Sequence, residues 1–498
     1  MKHNWKDRQT NCKEHYQVKI DQQLERPFSN LQSKMADILK RTVVQFILWI
    51  VVTFQSEASG FKRVCYYTNW SESRAVVDFR FHLKEHLDPF LCTHLIYAFA
   101  NINPTELRIE RVYSSEDDGK VPGSGLMFDF TALKKKNPKL KTILSIGGEH
   151  SGEFQLIMGS DKNIKTFAQN IYIYIRDRNF DGIDIDWEYP GAIYKNEFVI
   201  FLKELRAVFA AEAKQTGNEE KSISIAGAPG ISNIETSYNI TEIVKYVDFI
   251  NVMAYDYSGP WSHKTGFMAP LYSRSSDKSF DQTLSQNWTM NKYLELGAPP
   301  EKLVMGIHGA GSSFTLANNS NHGIGDAVSG GGEKGPLLKF AGRLAYPEIC
   351  KMRKEETVYD EEQKQKYTYY GSQWVGYEDP DTILMKVQYA INNNFSGVMF
   401  WSLDLDDFLG SHCHQGKYPL LSVVKKVSEL LAQNTTPDSG LVTQPIKTKP
   451  TTTTVWPPKD GGFKLFIIDS RNSTPLLTFP CLILLLLFSL CVLFINHP

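Results

Sequence analysis

The chain has 498 residues, of which 42% are hydrophobic, and it carries a formal net charge of −1. This length allows a large buried core. The near-zero net charge gives no sign of the excess of basic residues that binds nucleic acid. We therefore expect a globular protein whose partners are neutral or mixed in charge, with no nucleic acid among them.

The N-terminal region contains a candidate signal peptide that does not stand at the start of the chain. A basic pair precedes the apolar run Val43 to Phe54, and small residues follow it. Such a run is too short to span a bilayer and is typical of the hydrophobic part of a signal. We predict an N-terminal extension over residues 1–34 and a signal peptide over residues 35–60; the alternative is an uncleaved anchor.

Eight apolar runs rich in β-forming residues recur along the chain. They cover residues 63–67, 94–100, 141–147, 182–187, 222–228, 248–254, 302–307 and 397–401. Helical patterns lie between several of them, such as residues 163–178 and 196–214, and this alternation requires parallel strands. The predicted fold class is α/β, a (β/α)8 TIM barrel, whose active site lies at the C-terminal ends of the strands.

The fourth run carries carboxylates at Asp184, Asp186 and Glu188, separated by apolar residues. In a β-strand this spacing points all three acids to one face. Because like charges in a low-dielectric interior repel, at least one acid should hold a proton near neutral pH and be available for general-acid catalysis. The alternative is an exposed edge strand with an acidic outer face.

Asp181, Asp184, Asp186 and Glu188 resemble the Asp-x-x-Asp-x-Asp-x-Glu signature of the family-18 chitinases and chitinase-like lectins. Further matching blocks follow in the order of the vertebrate members, at residues 65–70, 92–100, 144–148, 253–256 and 401–407. The resemblance implies a barrel over residues 61–432, with a small α+β insertion domain between strands 7 and 8 at about residues 313–380.

Four of the seven cysteines, Cys65, Cys92, Cys350 and Cys413, lie in this barrel region. An even count suits two disulfides in an oxidising compartment, and the sequence alone leaves three pairings open. The resemblance implies the pairs Cys65 with Cys92 and Cys350 with Cys413. No spacing of Cys and His residues suggests a metal site, and we expect no cofactor.

The resemblance also implies a function, an extracellular chitinase-type glycoside hydrolase that cleaves β-1,4-linked N-acetylglucosamine polymers or oligomers. The mechanism would be retaining and substrate-assisted, so that the acetamido group of the sugar acts as the nucleophile. Glu188 would protonate the leaving oxygen, Asp186 would hold the acetamido N–H, and Asp184 would share a proton with Asp186. The implied substrate-binding residues are Tyr66, Trp70, Phe99, Gly147, Gly148, Tyr189, Met253, Ala254, Tyr255, Asp256, Trp261 and Trp401.

The chain departs from the family pattern near the expected substrate groove. Glu149 and His150 stand where active relatives carry Trp-Asn. In residues 310–314 the usual Tyr and Arg are absent, and Ser312 takes the arginine position. We therefore expect the carboxylate of Asp256 to lack its arginine partner.

Three further departures concern the wall of the groove. Phe340 replaces a Glu, Phe267 and Met268 replace His-Asn, and a Glu-Trp pair after the second strand has no counterpart. These changes favour a second hypothesis, a chitin- or glycan-binding lectin with weak or no turnover. A third hypothesis is a surface adhesion glycoprotein whose barrel is only a scaffold.

The C-terminal region predicts a surface-associated protein. Residues 433–475 form a Thr/Pro-rich stalk, and residues 476–495 form a hydrophobic segment long enough to cross a membrane. This segment is either a glycolipid-anchor signal or a transmembrane helix. Glycosylation sequons stand at Asn239, Asn287, Asn318, Asn394 and Asn434. We predict an extracellular monomeric glycoprotein, secreted or tethered to the cell surface.

Overall fold

The structure, a computed structural model, describes residues 60–112, 125–149 and 151–434. Four predicted segments lie outside the described residues and stay predictions. They are the N-terminal extension, the signal peptide up to residue 59, the stalk beyond residue 434 and the hydrophobic segment. In the described ranges, no helix combines the length and the apolar character that crossing a membrane requires.

The described residues form fifteen strands and eleven α-helices. The strands are β1 (Lys62–Thr68), β2 (His94–Asn103), β3 (Arg108–Glu110), β4 (Lys141–Gly148), β5 (Gly182–Trp187), β6 (Ser222–Gly227), β7 (Phe249–Val252), β8 (Leu303–His308), β9 (Ala310–Leu316), β10 (Val328–Gly331), β11 (Arg343–Ala345), β12 (Glu356–Asp360), β13 (Gln365–Tyr370), β14 (Gln373–Tyr377) and β15 (Gly397–Trp401). The helices are α1 (Leu83–His86), α2 (Leu126–Thr131), α3 (Glu153–Met158), α4 (Asp161–Asp177), α5 (Gly191–Thr216), α6 (Ile231–Ser237), α7 (Ile240–Ile243), α8 (Gln286–Glu295), α9 (Tyr346–Lys351), α10 (Pro380–Asn392) and α11 (Pro419–Asn434).

Eight of these strands, β1, β2, β4, β5, β6, β7, β8 and β15, pair in parallel around a closed barrel. Closure comes from β1, which pairs with β15 on one side and with β2 on the other. Each of the eight predicted runs forms one of these strands, so the predicted (β/α)8 TIM barrel is confirmed. The short strand β3, which the sequence analysis did not predict, pairs antiparallel with the end of β2.

Strand β5 shows how the sequence builds the two faces of the barrel. All of its residues are buried, and Ile183, Ile185 and Trp187 belong to the apolar cluster between the strands and the helices. Because side chains alternate along a strand, Asp184 and Asp186 face the interior of the barrel. The acidic-edge alternative is therefore wrong, since β5 lies between β4 and β6 with both faces covered.

The two predicted helices form on the outer layer. Helix α4 buries Ile164, Phe167, Ile171 and Ile175, a spacing of three and four residues that gives one apolar face. Helix α5 ends at Thr216, where Gly217 adopts φ of 71° and donates its N–H to the carbonyl of Ala213. Helix α5 extends the predicted range at both ends, whereas α4 begins before the predicted range and ends one residue short of it.

The predicted insertion is a six-stranded antiparallel sheet between β8 and β15. Its order is β10-β9-β14-β13-β12, and β11 pairs with β9. Phe267, Phe314 and Trp374 pack in its apolar core. Phe267, which departs from the family pattern, is therefore buried against the aromatic residues of the insertion.

Two disulfides join distant parts of the chain. Cys65 in β1 bonds to Cys92 just before β2, and Cys350 in α9 bonds to Cys413 near the C-terminal helix. Both pairings that the resemblance implied are confirmed.

Candidate active site

Asp184 lies deepest in the barrel and accepts hydrogen bonds from four side chains. The hydroxyls of Tyr66, Ser145 and Ser224 donate to it at 2.8, 2.8 and 2.6 Å, and the amide of Asn251 donates at 3.3 Å. The two serines stand beside Asp184 in register on β4 and β6. The neighbouring strands therefore form a polar cradle around a carboxyl group that is fully buried.

Burial dominates the protonation of Asp184. Loss of water raises the pKa of the Asp184 carboxyl, while the hydrogen bonds from Ser224, Tyr66, Ser145 and Asn251 pull it down. The donors stabilise the ionised form, but they do not cancel the cost of burial.

Asp186 lies one step nearer the C-terminal ends of the strands, which we call the mouth of the barrel. Burial raises the pKa of Asp186 well above its ordinary value, and the charges of Glu188 and Asp184 raise it further. Among the described residues, none donates a hydrogen bond to the buried Oδ1 of Asp186. A buried oxygen without a partner is costly, so this atom is ready to pair with a donor on a ligand.

Glu188 follows the end of β5 and is half-buried. Its backbone N–H donates to the Ser151 hydroxyl at 3.0 Å, which ties it to the turn after β4. The side chain also shares a hydrogen bond with the Tyr189 phenol, and burial followed by the charge of Glu188 raises the pKa of Tyr189. The Glu188 carboxyl thus stands at the mouth on a fixed backbone.

Strand β4 approaches β5 closely at this point. Gly147 has φ of 109°, and a Cβ at that position would lie 2.0 Å from the carbonyl oxygen of Asp186. Only glycine permits this approach. The close packing of β4 on β5 therefore requires the glycine at position 147, and the site roles of Gly147 and Gly148 stay predictions.

Aromatic side chains form a floor beside the three acids. The Trp401 ring lies 5.9 Å from Phe99, 6.2 Å from Trp70 and 5.2 Å from Tyr66. Trp70 and Phe99 stack at 6.0 Å with an interplanar angle of 24°. The structure thus brings four predicted site residues, from β1, β2 and β15 and the turn after β1, into one cluster.

The residues after β7 line the other side of the mouth. Tyr255 and Met253 are buried in the inner apolar cluster, and Ala254 is fully buried with its carbonyl accepting from the Gln286 amide. The Tyr255 hydroxyl lies 3.9 Å from the sulfur of Met399. Tyr255 therefore lies at the mouth of the barrel, whereas Ala254 is fully enclosed by protein.

Asp256 has an arginine partner, so the expectation that it lacks one is wrong. Arg343 donates from Nη2 to Oδ1 of Asp256 at 2.7 Å. In the insertion sheet, Arg343 on β11 stands directly opposite Ser312 on β9. The guanidinium is therefore supplied by the adjacent strand, and the Ser312 hydroxyl instead donates to the carbonyl of Ser258 at 2.7 Å.

The remaining departures occupy different environments. Glu149 is exposed in the turn after β4, Phe340 is also exposed, and Met268 is buried in the inner apolar cluster of the barrel. Trp261, a predicted sugar-binding residue, is 59% exposed. His150 lies outside the described residues.

Sequence reasoning missed Ser145, Ser224, Asn251, Ser151 and Arg343. The first three are polar residues with an apolar residue on each side in their strands, and strand register or hydrogen bonding places them around Asp184. That pattern is a usable signal. Ser151 and Arg343 lie outside the barrel strands, where no periodic pattern marks them.

We expect Asp186→Asn to stabilise the protein at neutral pH. Because the folded-state pKa of Asp186 is raised, its ionisation lowers stability as the pH rises from about 4 through the folded pKa, by about 1.4 kcal/mol for each unit of the raise. The gain from Asp186→Asn should therefore grow from pH 4 to pH 8, measured as the free energy of unfolding in urea. The exposed control Asp177→Asn should show no such growth.

We expect Arg343→Gln to lower the free energy of unfolding by about 1–2 kcal/mol, because it leaves the carboxylate of Asp256 without its cation. The loss is less than for a fully buried pair since the Asp256 side chain is 34% exposed. In a double-mutant cycle, Asp256→Asn should recover part of the loss. Strictly additive costs would show that the two side chains do not stabilise each other.

Comparison with known proteins gives consistent matches. The model of the glycosyl hydrolases family 18 matches residues 62–406. Human chitinase-3-like protein 2 is 36% identical over 393 residues, which cover 77% of this chain and 98% of that protein. Mouse chitotriosidase-1 is 33% identical over 413 residues, which cover 81% of this chain and 86% of that protein.

A solved structure agrees with these sequence relatives. Human YKL-39, described as a pseudo-chitinase with retained chitooligosaccharide binding properties, superposes with a TM-score of 0.69 at 36% identity, covering 74% of this chain and 99% of that one. The barrel, the acidic series on β5 and the family match over residues 62–406 lead to one conclusion. The chain belongs to the glycosyl hydrolases family 18.

Proposed function

We propose that this chain is a chitinase-type glycoside hydrolase that cleaves β-1,4-linked N-acetylglucosamine chains with retention of configuration. The Glu188 carboxyl gives its proton to the leaving glycosidic oxygen as the bond to the anomeric carbon breaks. The acetamido carbonyl oxygen of the same sugar bonds to that carbon and forms an oxazolinium ion. Water, deprotonated by the Glu188 carboxylate, then opens this ion and restores the enzyme.

The observation that carries this proposal is Oδ1 of Asp186, which has no hydrogen-bond partner among the described residues. It is buried beside Glu188 and needs a donor, and the acetamido N–H is a donor that a substrate of this class brings. Once bound, the Asp186 carboxylate also stabilises the positive charge of the oxazolinium ion. The acetamido group of an N-acetylated sugar thus does two things: its N–H donates to the buried oxygen, and its carbonyl oxygen is the nucleophile.

The aromatic floor supports a carbohydrate ligand independently. Trp401 is half-buried, with part of its surface accessible, and it is held by Tyr66, Trp70 and Phe99. Sugar rings present flat apolar faces that pack on such surfaces. The polar acids and the apolar floor therefore suit the two faces of one pyranose unit.

A lectin without turnover is the second candidate. Glu149 replaces the aromatic residue of active relatives, and a related structure is that of a pseudo-chitinase with retained chitooligosaccharide binding. Against it stands Glu188, because a binding protein has no need of a proton donor at this position. Turnover decides between the two candidates.

We predict that Glu188→Gln abolishes turnover and keeps oligosaccharide binding, because the amide preserves shape but cannot transfer the proton. General-acid catalysis contributes a factor of about 10²–10⁴, so the rate on a fluorogenic chitobioside should fall at least that far. Glu301→Gln, an exposed control just before β8, should keep the full rate.

Two results would contradict the proposal, the first in its mechanism and the second in its activity. Equal rates for the wild type and Glu188→Gln would remove Glu188 from the mechanism. Binding of the sugar with no turnover by either protein would favour the lectin.

We also propose an extracellular location, which the two disulfides support because disulfides persist in oxidising compartments. In transfected cells, the full-length protein should carry both disulfides and appear at the cell surface or in the medium. Release by phosphatidylinositol-specific phospholipase C would indicate a glycolipid anchor, and release only after deletion of residues 470–498 would indicate a transmembrane helix. Intracellular retention of a reduced protein would contradict the proposed location.

A further inference from the structure

Several asparagines of the described chain stand in an Asn-x-Ser/Thr sequon, and the fold places them in very different surroundings. Those with a described side chain are Asn69, Asn239, Asn287, Asn318 and Asn394. The pattern marks each as a candidate glycan acceptor and ranks none above the others. A glycan is bulky and belongs at the surface, so a folded protein carries one only where the side chain of the asparagine is exposed. The surroundings of each asparagine therefore decide which sequons fit.

Asn318 lies in the loop that joins β9 to β10 in the insertion. It is exposed, and so are Asn319 and Ser320, the other two residues of its sequon. The Oδ1 atom of Asn318 accepts the backbone N–H of Ser320 at 3.0 Å, which folds the sequon into a tight turn. Among the described residues, none accepts a hydrogen bond from Nδ2 of Asn318. The turn thus engages the amide oxygen and leaves the nitrogen, the atom that bonds to a sugar, without a protein partner there.

Asn394 lies in the turn between α10 and β15, at the end of the barrel opposite the mouth. It is exposed, and its φ of 58° is in the left-handed region that asparagine tolerates better than most residues. Its backbone N–H donates to the carbonyl of Ile391 at 3.0 Å, which closes the turn after the helix. In the part of the chain that the structure describes, no residue hydrogen-bonds to the Asn394 side chain. This amide is therefore held on a fixed backbone and open to solvent.

The other three sequons are closed by the fold. Asn69 is buried and donates from Nδ2 to the carbonyl of Phe99 at 3.0 Å. Asn287 is half-buried and donates from Nδ2 to the Tyr389 hydroxyl at 3.0 Å. Asn239 is also half-buried, and its side chain caps the start of α7. A sugar on any of these amides would displace packed protein.

We propose that Asn318 and Asn394 carry N-linked glycans in the folded protein and that Asn69, Asn239 and Asn287 do not. This inference rests on the extracellular location proposed above, because the glycan is transferred in the secretory pathway. The donor is an oligosaccharide joined through pyrophosphate to a lipid. Nδ2 of the asparagine loses one proton to solvent and bonds to the anomeric carbon of the first sugar. The bond from that carbon to the pyrophosphate breaks, and the lipid pyrophosphate leaves.

Folding then acts as a filter on the modified chains. Transfer takes place as the chain enters the secretory pathway, before folding is complete, so every sequon is accessible at that stage. A chain modified at Asn69 or Asn287 would lose a hydrogen bond that the folded state uses, and it would have to enclose a glycan. Such chains should not leave the cell, so the folded protein outside it carries glycans at the exposed sites alone.

The test recovers the full-length protein from the surface and the medium of transfected cells. Peptide-N-glycosidase F removes each N-linked glycan and converts its asparagine to aspartate, and in water labelled with heavy oxygen the new carboxyl group takes up the label. Mass spectrometry of the peptides then reads each site separately, so glycans elsewhere in the chain do not enter. We expect the label at Asn318 and Asn394 and unmodified asparagine at Asn69, Asn239 and Asn287.

Matched variants check each assignment. Ser320→Ala destroys the sequon and keeps Asn318 in place, so it should lose that glycan, whereas Asn319→Gln keeps the sequon and should keep the glycan. Asn394→Asp removes the acceptor nitrogen and retains a residue that adopts the left-handed backbone. It should lose the glycan at this site without loss of thermal stability.

The outcomes separate this inference from the proposed location. Protein outside the cell that lacks a glycan at Asn318 or Asn394, or that carries one at a closed site, would overturn this inference alone. Protein retained inside the cell, reduced and without glycans, would overturn the proposed location and this inference together.

Discussion

The burial of Asp184 and Asp186 inside the barrel is the constraint on which the rest of the site depends. Removing carboxyl groups from water is costly unless donors replace the water. The cradle of Tyr66, Ser145, Ser224 and Asn251 meets this need for Asp184, whereas none of the residues that the structure describes donates to Oδ1 of Asp186. The two carboxyl groups therefore differ, because the polar requirement of Asp184 is met by the described residues and that of Oδ1 of Asp186 is not.

The ion pair between Arg343 and Asp256 shows how the insertion takes part in the site. Position 312 on β9 is a serine, but Arg343 stands opposite it on β11 and pairs with the carboxylate of Asp256. Antiparallel partners lie side by side, so a side chain can be replaced from the neighbouring strand. The insertion therefore contributes an electrostatic partner to Asp256, which follows the sixth barrel strand.

The candidate site combines buried acids and an aromatic floor with an exposed charge in the turn after β4. Trp401 keeps its aromatic neighbours, and Glu188 keeps its place at the end of β5, whereas Glu149 brings a charge to the turn after β4. Loop residues vary at little structural cost because few packing contacts depend on them.

The sequence by itself determined the barrel, because each strand's apolar pattern is local and the acidic series of β5 repeats with the period of a strand. It also determined the acids, and, through family resemblance, the disulfide pairs and the aromatic residues. Only the tertiary structure decided which polar residues surround Asp184 and which arginine pairs with Asp256. Those contacts join positions 39 to 118 residues apart, such as Ser145, Asn251 and Tyr66 with Asp184, and strand register, which no local pattern encodes, sets them.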